Sequence, residues 1–115
     1  MKLRILAFVA VMAISVIGPT KATWLSGHEL LSDCASGVIF KENRCTAYVM
    51  GIEDTIERLY AWGLLSKRKF CVPPGVSIKQ LTGIFIEHAN KYPENLKYSA
   101  SSMVMNAFYV AFPCD

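Results

Sequence analysis

Apolar and polar positions recur with the period of a helix in four stretches of this chain. The clearest is 44–62, where Cys45, Tyr48, Val49, Ile52, Ile56, Leu59 and Tyr60 fall at spacings of three and four and make one continuous stripe. Glu53, Asp54, Glu57 and Arg58 lie mostly on the other face, with Asp54 and Arg58 in the favourable acid-before-base order and Glu53 and Glu57 as a like-charge pair. Asn43 is placed to cap the start, and Gly63 stands where a left-handed stop residue belongs. Gly51 sits in mid-helix, where it costs about 1 kcal/mol against alanine. The expected compensation is close approach of another backbone, from the same chain or a second copy, which puts this helix inside a bundle.

Three more helices follow from local signals. Ser26 and Glu29 form a capping box, with Leu25 and Leu30 as its hydrophobic staple, and this first helix ends around 35–37 with His28 on its solvent side. Residues 38–42 then read as a connector. Ser77 and Gln80 form a second box, with Val76 and Leu81 as staple. Leu81, Ile84, Phe85, His88 and Ala89 share one stripe of the helix that follows, and it stops before Tyr92-Pro93. Pro93 suits the first position of a last helix carrying Leu96, Ala100, Met103, Val104, Ala107, Phe108 and Ala111. Between the second and third helices, 64–75 has no clear period, and Ser66, Lys67, Arg68 and Lys69 at its tip make a dense charge cluster. The expected fold is all-α: a small four-helix, bundle-like domain with no strand signal.

The N-terminal segment belongs to a different category. Lys2 and Arg4 precede an apolar run over 5–17, Gly18 and Pro19 break it, and Thr20-Lys21-Ala22 supplies small residues at the cleavage positions. This reads as a secretory signal peptide over 1–22, cleaved between Ala22 and Thr23. The run is too short for the ~20 apolar residues of a membrane anchor. Removing the leader leaves 93 of the 115 residues and takes Lys2, Arg4 and Lys21 from the 12 Lys and Arg, leaving 9 against 9 Asp and Glu. A neutral mature chain carries no electrostatic case for nucleic acid or for a membrane surface after cleavage.

A single domain over 23–115 has a modest core, and small exported domains commonly add disulfides. Cys34, Cys45, Cys71 and Cys114 allow three pairings. Cys34 and Cys45 flank one tight corner, and proximity favours Cys34–Cys45. If the last two helices run antiparallel, Cys71 before one and Cys114 after the other meet. No C-x-x-C occurs and the two histidines flank no cysteine, so neither a metal nor another cofactor is expected. No phosphate loop, H-E-x-x-H or nucleophile elbow occurs either, and the carboxylates of 53–57 read as a solvated face. These residues describe a non-enzymatic scaffold that presents surface.

The succession C-T-A-Y-V-M-G-I-E-D (45–54), F-C-V-P-P-G-V-S-I-K-Q-L (70–81), Y-P-E-N-L (92–96) and A-F-Y-V-A-F-P-C (107–114) resembles the Rap/Tai immunity proteins. The resemblance implies a helical, often dimeric periplasmic protein that neutralises a cognate type VI secretion effector, typically a peptidoglycan amidase, by occluding its active site. It also implies that the four cysteines are a disulfide framework and that Gly51 and Asp54 belong to a shared helix motif. The loop over 64–70, with Lys67, Arg68 and Lys69 at its tip, is the expected contact region, with Tyr60 and Trp62 as aromatic anchors if exposed. A periplasmic carrier of a small ligand or lipid is the alternative reading. A cysteine enzyme, the third, requires a free thiol.

Overall fold

The computed structural model describes residues 24–115, so the leader read over 1–22, with its Ala22–Thr23 cleavage, lies outside the described residues. Four α-helices are joined without a strand among the described residues: α1 (Gly27–Cys34), α2 (Ile39–Ala61), α3 (Ile78–Lys91) and α4 (Ala100–Ala111), with a 3-10 turn at Pro93–Asn95. The all-α reading and both disulfides, Cys34–Cys45 and Cys71–Cys114, are present.

Both capping boxes form. Ser26 accepts from the Glu29 amide while Glu29 reaches back to the Ser26 amide, and Ser77 and Gln80 do the same at α3. At the end of α2, Gly63 has φ 73°. Its amide donates to the Tyr60 carbonyl and that of Leu64 to Leu59, so the orphan carbonyls are met by a Schellman motif.

Three expectations are corrected. Helix α2 begins at Ile39, not near Arg44, so 39–42 is helix rather than connector and Asn43 is not its cap; Val38 holds that place with no side-chain bond. Ile39 and Phe40 are 72% and 71% exposed, off the buried stripe, which is why periodicity missed this turn. Pro93 opens the 3-10 turn and not the last helix, which starts seven residues later behind Ser99, whose side chain accepts from the Ser102 amide. Leu96 is therefore a buried turn residue. Finally, no described residue lies within 4 Å of a Cβ built on Gly51, so the close approach expected there does not occur among the described residues. The bundle stands without it.

The core is built around α4. Met103, Val104, Ala107 and Phe108 are buried on its inner stripe, against Phe85, Leu81 and Ala89 of α3, Val49 and Cys45 of α2, and Leu30 of α1. Close backbone approach occurs instead at Gly27. There the Gly27 amide donates to the Tyr98 carbonyl (2.8 Å), His28 to Leu96 (3.0 Å) and Ala100 to Leu25 (2.7 Å). Two of the orphan donors of α1 are thus met by the segment that leads into α4.

Candidate functional site

The loop after Gly63 is short of helical structure and yet firmly seated. Phe70 at its far end is fully buried and stands edge-on to Phe108, ring centroids 5.3 Å apart at 78°. Cys71 then donates its amide to the Phe112 carbonyl (2.8 Å) and bonds Cys114. The loop is thereby pinned to the C-terminal end of α4, and between them lies an open cleft of about 960 Å³. Tyr60, Lys67, Arg68, Lys69, Tyr109 and Asp115 are among its walls.

The structure divides the three loop cations. The Arg68 guanidinium donates to Glu57 and lies over the Tyr60 ring, 4.6 Å from its centroid. Arg68 is therefore committed to α2, and it covers the ring that the sequence offered as an anchor. The salt bridges among the described residues are Arg68–Glu57 and Arg44–Asp33, so Lys67 and Lys69 face the cleft without a carboxylate partner. Trp62 is 68% exposed and does not line the cleft. Tyr109 does, and sequence reasoning missed it. The available signal was that Tyr109 and Val110 fall off the apolar stripe of the last helix, a position where large apolar side chains have no core to enter.

The acidic residues of α2 gather no catalytic geometry. Burial raises the Glu53 carboxyl above its ordinary range, with Glu57 and then Asp54 adding repulsion. Glu57 is tied to Arg68, and Asp54 is exposed beside the open Gly51 face. His28 is exposed. His88 is half-buried and packs on Tyr92, ring centroids 4.8 Å apart, and burial followed by Lys91 lowers its pKa. Neither histidine has a free thiol to activate, because all four cysteines are oxidised. No group of three or more potential metal ligands occurs among the described residues.

At the opposite corner the two helices are linked twice in register. Cys34 bonds Cys45, and the preceding residues pair as well: buried Asp33 receives the Arg44 guanidinium at 2.6 and 2.7 Å. This bidentate arrangement satisfies both oxygens of a carboxylate that is 3% exposed. It fixes the angle between α1 and α2 and leaves the basic cleft on another part of the surface.

A helical frame braced by two disulfides thus presents a pinned, charged loop beside an open cleft. The family model of Rap1a immunity proteins matches residues 26–114, and the chain belongs to that family. Its class of function is therefore immunity towards a type VI secretion effector. No curated protein and no solved structure matches the chain.

Proposed function

We propose that this chain acts in the periplasm, binds a cognate type VI peptidoglycan amidase and inhibits it by occluding its active site, with the loop over 64–70 at or over the mouth of that site. The observation that carries the proposal is the loop's construction. Phe70 and the Cys71–Cys114 disulfide hold it, while Lys67 and Lys69 keep unpaired charge at its surface. A rigid loop loses little conformational freedom on docking, and unpaired rim charge speeds encounter with a surface of opposite sign. Arg68 has a different part: through Glu57 and Tyr60 it keeps the loop close to α2.

The test is direct. Candidate type VI peptidoglycan amidases from a strain that carries this gene are purified and mixed with the mature chain, and peptidoglycan cleavage is followed. Stoichiometric loss of cleavage by one of them, with co-elution of the two proteins, is expected; full activity of every candidate at excess immunity protein refutes the proposal. A homodimer belongs to the same reading. The outer face of α2, where Gly51 is open and Met50 is exposed, is a surface on which a second copy can pack. Sedimentation of the purified chain over a range of concentrations tests it.

A further inference from the structure

We infer that the outward face of α4, with Tyr109 as its anchor, is the apolar centre of the effector-binding surface, and that the basic loop is its rim. This rests on the proposed function and names where the binding energy of that same surface lies.

The inner stripe of α4 is spent on the core, and Tyr109 and Val110 are left 63% and 64% exposed. Tyr109 forms a wall shared by two depressions. On one side is the basic cleft; on the other is a hollow of about 200 Å³ that includes His88, Tyr92, Asn106 and Val110. A further hollow of about 200 Å³ lies on the α3 side of Val110, reaching Ile84, with Glu87 and Lys91 at its edge. The apolar ridge and its hollows are thus continuous with the proposed loop surface.

Tyr109 also differs from the other rings of this region in lacking a partner among the described residues. Tyr60 lies under Arg68, and Tyr92 is packed against His88 with Lys91 over it at 5.6 Å. Among the described residues Tyr109 stacks on no ring, holds no cation and makes no side-chain hydrogen bond. Tyrosine so placed offers a large area with only two side-chain torsions to freeze, and binding energy concentrates on such residues at the middle of interfaces.

The occupant this surface fits is a protein that presents bulky apolar side chains to the hollows and carboxylates to the rim. Lys67 and Lys69 at one margin and Lys91 at the other have no salt-bridge partner among the described residues. A second copy fits less well, because it brings Glu87 and Asp115 against Lys67, Lys69 and Lys91, so a two-fold contact leaves an excess of positive side chains.

The experiment uses the mature chain and the amidase that it inhibits in the cleavage test, with binding rates measured on immobilised amidase. Tyr109→Ala is expected to raise Kd by about 30-fold, mainly through faster dissociation, the size of an interface hot spot. Val110→Asp is the second variant and should weaken binding in the same way. Lys67→Glu with Lys69→Glu is expected to slow association by about tenfold and to reduce its salt dependence. Unchanged melting temperatures establish that all variants fold. If both α4 variants bind as the unmodified chain does while the lysine variant fails, the inference is overturned and the proposed function stands. If the unmodified chain binds no amidase, both fall. If Tyr109→Ala only converts a dimer to monomers, with amidase affinity unchanged, the face is a contact between copies and the inference is overturned.

Discussion

One chemical change, glycine to alanine, should have opposite effects at two positions of this chain. At Gly27 an added Cβ meets the Leu96 carbonyl oxygen at 2.9 Å, the Leu96 Cα at 3.0 Å and Met103 Cγ at 3.1 Å. Two of these are backbone atoms, and they cannot withdraw freely: the Leu96 carbonyl accepts from His28, and Gly27 itself donates to Tyr98. Overpacking of this kind costs about 1–3 kcal/mol, and a strained hydrogen bond adds about 1 more. The gain in helix propensity offsets at most about 1 kcal/mol. A net loss of about 2 kcal/mol lowers the melting temperature of so small a domain by roughly 8–16 °C. At Gly51 and Gly83 the new methyl enters open space at helical φ, and each substitution should add about 1 kcal/mol. Urea titration of the disulfide-intact variants, read as a shift in midpoint at constant slope, measures all three. Gly27→Ala melting together with the unmodified chain, or Gly51→Ala unfolding a monomeric protein more readily, would refute the reasoning.

Other perturbations probe the braces and the loop. Replacing Cys71 and Cys114 by alanine releases a 43-residue separation and should cost about 4 kcal/mol in the chain-entropy account, against about 3 kcal/mol for the 11-residue separation of Cys34 and Cys45. Equal losses in paired denaturation curves would count against that ordering. Phe70→Ala empties a fully buried site against Phe108 and should cost about 3–5 kcal/mol, with earlier proteolysis within 64–70. A clipping pattern unchanged by this variant would show that Phe70 does not seat the loop. His88 has a folded pKa below its reference of 6.5. The unfolded chain therefore takes up the proton first, and stability that is complete above pH 6.5 declines as pH falls towards the folded pKa. His88→Gln should flatten the stability profile in that window; an unchanged profile removes His88 as its source.

How much of this could be read before folding depended on how local each determinant is. Ser26 with Glu29, Ser77 with Gln80, and Gly63 act within one turn of backbone, and each formed as the residues foretold. The first turn of α2 was illegible for the opposite reason. Ile39 and Phe40 are apolar and face outward, so the stripe that defines a buried helix begins only at Cys45. Pro93 satisfied the rule for a helix start but had room only for a 3-10 turn, because the chain must still cross Gly27 before Ser99 can open α4.

Helix number, the two interior capping boxes, the closing glycine of α2 and the nearness of Cys34 to Cys45 were written in the order of residues. Their causes are hydrogen bonds and spacings a few positions long. Which glycine meets a backbone, which loop cation is spent on Glu57 and which stays free, and which aromatic ring is left uncovered were settled only by packing. Those outcomes depend on distances between segments far apart in the chain. Gly27 and Gly51 are alike as letters; one has the Leu96 backbone against it and the other has open space, because α1 docks on the approach to α4 while the Gly51 face of α2 meets none of the described residues.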